Sequence, residues 1–312
     1  MLYVSTRDHT NTFTAHHALF EQNASDGGMF MPFRLPVLTH DDLAQMKSSS
    51  FGSNVARILN IFFSAQLTGW EIDFCCGRSP VDIISLPRKL LIAELWHNTG
   101  SSYAHMERAL YDKLCGKNAP AEISPWARIA IRISVFFAIY AMSDLDTFDL
   151  AIDDHEFTAP LAAWYARRMG LPIGTIICGC NDNGAVWDLL HRGEMNTISS
   201  SQNIGIEQLI CATLGHGYAL QFVSACRDRR TYHVPEEKLP ELSDRIFVAV
   251  TSEDRIKNVV TSVNRSNNYT LDSSAAISFG ALQDYRARVG ESRTTMLLSM
   301  MRQQGNKYAV NR

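Results

Sequence analysis

Two short stretches of the chain place histidines close to other polar side chains that can do chemistry. Residues 94–107 (ELWHNTGSSYAHME) contain His97, Asn98 and His105, and residues 153–156 read Asp-Asp-His-Glu. Imidazole and carboxylate groups bind divalent transition metals and act as general acids and bases. The spacing matches no recognised ligand pattern, so ordinary polar loop residues at strand ends are the competing and favoured interpretation.

The seven cysteines do not show the spacing of a metal site or of a disulfide framework. Cys178 and Cys180 end an apolar run, but a single Cys-x-Cys without a second pair is a weak metal signal. A buried structural role is the favoured interpretation, and Cys75 and Cys76 are equally unsupported as ligands. An odd number of scattered cysteines is typical of reduced thiols in a cytosolic protein. The sequence therefore predicts no metal site.

Composition excludes several classes of protein. The 312 residues carry a net charge of −3, which argues against a nucleic-acid binder with its basic face. The most apolar run, residues 127–142, is interrupted by Arg128 and Arg132, so it predicts a buried helix with a polar edge and not a membrane span. The first ten residues lack the basic and apolar regions of a signal peptide, and we expect a cytoplasmic location.

The C-terminal half alternates between apolar strands and helices. The predicted strands are 148–152, 175–180 and 247–252, and the predicted helices are 157–169, 204–226, 253–264 and 273–289. This alternation predicts an α/β fold with a twisted, mostly parallel sheet and helices on both faces. Ligands of such sheets bind at the carboxyl ends of the strands.

Several motifs, in order along the chain, resemble those of threonine synthases. YVSTR…ASDGGMFMP (3–32) is similar to the opening strand and "PDGGL(F/Y)VP" turn of that family, and ELWH (94–97) is similar to its "ELFH". Further similar segments are SPWARIAIRISVFFAIY (124–140), LAAWYARRMGLPI (161–173), NIGIEQL (203–209) and YTLDSSAAISFGALQDY (269–285). The resemblance implies the fold-type II scaffold of pyridoxal-phosphate (PLP) enzymes, as in the large domain of threonine synthase.

The departures from the family fall on its chemistry. In the motif "ELFHGPTLAFKD", the lysine that forms the Schiff base corresponds to Ala104, and the following aspartate corresponds to His105. Without an amine at this place the cofactor cannot be held as an imine. The glycine-rich phosphate loop "GNFG" corresponds to residues 155–158, His-Glu-Phe-Thr, where the Glu156 carboxylate would repel a phosphate. The resemblance therefore implies that PLP binding is lost, and no cofactor is expected.

Two further family segments have no counterpart. Only about twenty residues separate Ala104 from Trp126, so the "TSGDTG" loop is missing, and "TAHPAKF" matches nothing in residues 297–308. We expect that most of the small cofactor-side domain is deleted. The predicted organisation is an N-terminal segment (1–93) packed on the main domain, a remnant of the small domain (94–123), and the main α/β domain (124–312).

Alignment with the family motifs implies that the polar candidate residues surround the crevice in which the family binds its cofactor. The pocket candidates are His97, His105, Asp153, Asp154, His155 and Glu156, and the ligand-binding candidates are His97, Asn98, Asn181 and Asp182. The favoured function is a non-catalytic binding or partner subunit, as a homodimer or as a hetero-oligomer with a related enzyme, with a small molecule as a possible ligand. The alternative is a PLP-independent enzyme that uses the His/Asp/Glu cluster. Retained PLP chemistry with a substitute lysine (Lys89, Lys113, Lys117 or Lys307) is the third hypothesis.

Overall fold

The computed structural model describes residues 1–77, 80–97, 102–153, 155–181, 184–197, 203–290 and 293–303, with the backbone alone for His155, Asn203 and Ile204. The elements of the first half are β1 (Leu2–Ser5), β2 (Phe13–Thr14), α1 (Ala15–Phe20), β3 (Phe30–Pro32), α2 (His40–Lys47), α3 (Phe51–Phe63), α4 (Gly69–Cys76), β4 (Asp82–Leu86), β5 (Leu90–Glu94), α5 (Tyr103–Cys115) and α6 (Pro125–Ala141). Those of the second half are β6 (Phe148–Asp153), α7 (Thr158–Arg168), β7 (Ile173–Cys180), α8 (Ala185–Arg192), β8 (Glu194–Asn196), α9 (Asn203–Leu214), α10 (His216–Arg227), β9 (Thr231–His233), α11 (Leu239–Leu242), β10 (Ile246–Val250), α12 (Glu253–Asn267), α13 (Ser273–Val289) and β11 (Thr295–Ser299).

A six-stranded sheet in the order β10-β7-β6-β11-β5-β4 organises the fold. Strands β10, β7, β6, β11 and β5 run parallel, and β4 closes one edge as the antiparallel partner of β5. The predicted α/β class with a mostly parallel sheet is therefore confirmed. Strand β11, the last in the described part of the chain, lies between β6 and β5, so its carboxyl end is central to the sheet.

Helices cover both faces of this sheet, as apolar strands require. One buried cluster joins the sheet to α3, α6 and α7 and includes the large side chains Phe62, Trp126 and Phe137. A second cluster, around Tyr269 and Leu282, joins the other face to α12 and α13. Within the described ranges, no helix has the length and apolar character needed to cross a bilayer.

The N-terminal segment docks through its own small sheet, in the order β2-β1-β3. The Tyr3 hydroxyl donates to the carbonyl of Phe62 at 2.8 Å, and Arg7 forms a two-pronged ion pair with the buried Glu207 at 3.0 Å. The segment is thus fixed to α3 and α9 by buried polar contacts.

One local prediction differs from the structure. The predicted helix 204–226 is two helices, because Gly215 adopts φ 98° between α9 and α10. His216 is the first residue of α10, and its Nε2 is 2.6 Å from the carbonyl oxygen of Arg7. The predicted burial of Cys178 and Cys180 is confirmed.

Candidate functional site

The carboxyl ends of three neighbouring strands, β6, β11 and β5, form the edge at which the candidate residues gather. These strands end in Asp153, Ser299 and Glu94, respectively. The N-terminus of α13 approaches the same edge, since its Asp272 and Ser274 contact these strand ends. Parallel strands bind ligands at this edge, so the geometry agrees with the location expected from the sequence.

Glu94 is a buried acid of this edge, with 2% of its surface exposed. One carboxylate oxygen, Oε1, accepts a hydrogen bond from the Tyr269 hydroxyl at 2.7 Å. The other, Oε2, lies 2.6 Å from Nε2 of His97, three residues further along the chain. The His97 ring stacks on Trp96 with 4.1 Å between ring centroids. Both oxygens of Glu94 are therefore engaged, and the ring of His97 is held in one orientation.

Asp272, the N-cap of α13, links the helix to the end of β11. Its side chain accepts hydrogen bonds from the backbone N–H of Ala275 and from the hydroxyl of Ser299. It also accepts from the backbone N–H groups of Met300 and Met301 at 2.9 and 3.2 Å. Burial raises the pKa of Asp272, and these donors oppose that shift only in part. The network is structural, because it satisfies a helix end and a strand end together.

The segment aligned with the family's lysine motif begins helix α5. Ser102 caps the helix by accepting from the N–H of Ala104 at 3.1 Å, and it also pairs with Met301. Ala104 and His105 are both exposed in the first turn of α5. No described interaction therefore joins His105 to Glu94 or His97. Asn98 lies outside the described residues.

The second loop, residues 153–157 at the end of β6, has an unusual backbone. Asp153 accepts from the Ser274 hydroxyl at 2.6 Å. Glu156 and Phe157 then adopt φ values of 53° and 52°, the left-handed region that favours glycine. A Cβ added to Gly205 would clash with the carbonyl oxygens of these two residues. The positive-φ backbone expected of a glycine loop is thus present on residues that carry side chains.

A buried group of charges lies between α5 and α6. Nε of Arg132 donates to Oε1 of Glu107 at 3.1 Å, and Arg128 lies 3.8 Å from the other oxygen. Arg128 is also 3.9 Å from Glu156, so the group extends to the second loop. Within the described part of the chain, the buried hydroxyl of Tyr103 finds no hydrogen-bond partner. These contacts fix the start of α5 against α6.

The candidate residues predicted from the sequence are thus divided among separate partners. His97 pairs with Glu94, Asp153 with Ser274, and Glu156 with Arg128. Asn181 is exposed after β7. Asp154 and Asp182 lie outside the described residues, as does the side chain of His155. Contacts that would merge these groups into one pocket are not among those of the described residues.

Sequence reasoning missed the residues that hold the edge together. These are Glu94, Tyr269, Asp272, Ser274 and Ser299. A signal was nevertheless present, because Glu94 stands in ELWH and Tyr269 and Asp272 stand in YTLD, two segments that the resemblance had selected. The large cavity of about 740 Å³ bordered by Leu86, Phe279 and Arg286 lies elsewhere, at the amino end of β5.

The N-terminal region of the chain matches a known family. Residues 2–79 match the family described as threonine synthase N terminus. Over 119 residues the chain is 33% identical to threonine synthase-like 2 of Homo sapiens and 32% identical to that of Mus musculus. Each match covers 35% of this chain and 24% of the relative. The matched region therefore spans about a quarter of the length of these relatives.

The fold matches along nearly the whole chain. PLP-bound threonine synthase from Brucella melitensis superposes with a TM-score of 0.81 at 16% identity, covering 99% of this chain and 90% of that chain. Threonine synthase from yeast gives a TM-score of 0.80 at 14% identity, covering 99% and 89%. Residues 2–79 are thus similar to the threonine synthase N-terminal family, and the chain as a whole has the threonine synthase fold.

Proposed function

We propose that this threonine synthase-like chain has lost PLP chemistry and acts as a non-catalytic binding or partner subunit. The observation that carries the proposal is the start of α5, where Ala104 occupies the position aligned with the family's Schiff-base lysine. Its methyl group cannot form an imine with the cofactor or move a substrate proton. Ala104 is exposed in the first turn of the helix, beside the carboxyl edge of the sheet.

The three described candidate lysines lie away from Ala104. Lys89 is exposed at the amino end of β5, at the opposite edge of the sheet from Glu94. Lys113 is nine residues beyond Ala104 on α5, roughly 13 Å at the rise of an α-helix, and its Nζ pairs with Glu71 at 2.7 Å. Lys117 lies beyond the end of the same helix. Lys307 lies outside the described residues.

The second loop also fits a cofactor phosphate poorly. Its two left-handed residues keep a glycine-like backbone, but Glu156 places a carboxylate there, 41% exposed and 3.9 Å from Arg128. A carboxylate beside a dianionic phosphate costs free energy by like-charge repulsion. Phe157, the second left-handed residue of this loop, carries a buried side chain. The residues present therefore do not fit PLP, and no reaction step is assigned to it.

An exposed aromatic pair supports the role as a partner subunit. Trp70 and Phe74 stack at 5.6 Å on the surface of α4, and they are 73% and 79% exposed. Adjoining exposed aromatic side chains are a common mark of a protein–protein contact. We propose a homodimer through this face. Light scattering should give twice the chain mass for the natural sequence and the single mass for Trp70→Ser combined with Phe74→Ser.

Reductive trapping tests the loss of PLP chemistry. The protein is incubated with PLP, reduced with borohydride and mapped by mass spectrometry, with an active threonine synthase as the positive control. We expect only scattered, substoichiometric adducts on surface lysines. A stoichiometric adduct on one lysine, abolished by the corresponding Lys→Arg substitution, would overturn the proposal in favour of a retained PLP enzyme. The alternative, a PLP-independent enzyme, draws its support from the ordered Glu94–His97 pair.

A further inference from the structure

Three potential metal ligands meet at the edge of the sheet where β4 and β5 pair. Asp82 begins β4 and lies directly opposite Glu94, which ends β5. His97 follows three residues after the end of the strand. One ligand atom from each of the three side chains lies within 4.8 Å of the other two. Asp82 and His97 are partly exposed while Glu94 is buried, so the group opens to solvent on one side.

The pairing of two carboxylates across the strands is unfavourable without a cation. Like charges directly opposite each other on antiparallel strands are destabilising. Glu94 is 3% exposed at its side chain, so water screens its charge weakly. Its contacts with Tyr269 and His97 engage both of its own oxygens, and neither contact involves Asp82, which lies opposite. A divalent cation between the carboxylates would convert this repulsion into attraction.

We propose that Asp82, Glu94 and His97 bind one divalent transition-metal ion of the Zn²⁺ type, with a fourth position open to water or a ligand. Zn²⁺ accepts imidazole nitrogen and carboxylate oxygen at about 2.0–2.2 Å, and open sites use three protein ligands. At tetrahedral angles such bonds separate ligand atoms by about 3.4 Å. The 2.6 Å gap between Oε2 of Glu94 and Nε2 of His97 must open slightly. The widest gap between ligand atoms is at most 4.8 Å and must close by at most about 1.4 Å.

The contacts around these ligands already orient them. Tyr269 donates to Oε1 of Glu94 at 2.7 Å, which leaves Oε2 directed to His97. Trp96 holds the His97 ring by stacking. One oxygen of Asp82 accepts from the N–H of Ile83 at 2.9 Å, and none of the described residues donates a hydrogen bond to the other oxygen. Supporting contacts of this kind are what fixes metal ligands in established sites.

Zinc titration of the full chain tests the site. Protein stripped with a chelator is titrated with ZnCl₂ by calorimetry, and bound metal is counted after gel filtration. We expect about one equivalent, with at least a tenfold loss of affinity for Asp82→Asn and for His97→Ala. His233→Ala is the matched control, since His233 lies 3.5 Å from Glu194 in an exposed pair with a single carboxylate. His105→Ala is the second control, and neither control should change the affinity.

A further variant separates a ligand effect from a folding effect. Tyr269→Phe keeps all three ligands and removes only the hydrogen bond to Glu94, and it should weaken zinc binding about tenfold. Co²⁺ bound to the unaltered chain should give the intense visible absorption of a tetrahedral site. No stoichiometric zinc, or equal binding by the unaltered chain and by Asp82→Asn and His97→Ala, would overturn the proposal. These outcomes are independent of borohydride trapping, which reads lysines alone.

Discussion

Replacing Glu107 with glutamine should destabilise the fold strongly, because the substitution leaves a buried arginine without its counter-charge. The side chains of Glu107 and Arg132 are 6% and 9% exposed, and their closest atoms are 3.1 Å apart. Burial lowers the pKa of Arg132, but the charge of Glu107 and the other groups around it more than compensate, so the net shift is upward. Breaking a buried pair from one side costs about 3–5 kcal/mol. Glutamine still accepts a hydrogen bond, so we expect about 3 kcal/mol.

The assay is urea denaturation, and the matched control is Asp112→Asn on the same helix. Asp112 pairs with Arg108 one turn away, but the two side chains are 47% and 36% exposed. Such a surface pair contributes about 0.5 kcal/mol or less. Replacing Glu107 and Arg132 together with methionine should cost much less than Glu107→Gln alone. A loss below about 1 kcal/mol for Glu107→Gln, or one equal to that of the control, would refute the claim that this pair fixes α5 to α6.

Three further predictions concern residues near the carboxyl edge of the six-stranded sheet. Tyr103→Phe removes a buried hydroxyl that has no described partner, so the free energy of unfolding should rise by about 1 kcal/mol; a loss of stability in urea would show that the hydroxyl is bonded. Glu156→Gly should be about 1 kcal/mol more stable than Glu156→Ala, because glycine adopts the observed φ of 53° without strain; equal midpoints in thermal denaturation would contradict this. Burial raises the folded-state pKa of Asp272 above its unfolded value of about 3.9. Its contribution is then full below about pH 4 and is lost as pH rises through the raised value. The stability advantage over Asp272→Asn should therefore shrink from pH 4 upward, and denaturation series that show it growing would contradict the shift.

Half of the six-stranded sheet could be predicted from the sequence, because these parallel strands are continuous apolar runs. The predictions 148–152, 175–180 and 247–252 fall on β6, β7 and β10 within a few residues. The position of β11 could not be predicted, because it is last in the chain but lies between β6 and β5. The local hydrophobic pattern predicts whether a segment is a strand or a helix, but it does not predict which strands pair in the sheet.

Contacts between distant segments also could not be predicted at the candidate site. Reasoning from adjacent residues selected Asp153, Asp154, His155 and Glu156 as one cluster, yet Asp153 and Glu156 bond to different elements. The contact that organises the edge joins Glu94 to Tyr269, which are 175 residues apart in the chain. Spacing within one segment cannot reveal such a pair. The i,i+3 relation of Glu94 and His97 was visible in ELWH, but only the end of a strand and its turn bring their atoms to 2.6 Å.

The proposed loss of PLP chemistry does not by itself explain the polar contacts at this edge. Buried polar groups are costly unless they are bonded, and the bonds of Tyr269 to Glu94 and of Ser299 to Asp272 meet that requirement. A scaffold that only holds strands together accounts for both of these bonds. It does not account for Asp82, a second carboxylate placed directly opposite the buried Glu94. A bound cation supplies the missing attraction, and zinc binding by the unaltered chain but not by Asp82→Asn would therefore distinguish a working site from a relic.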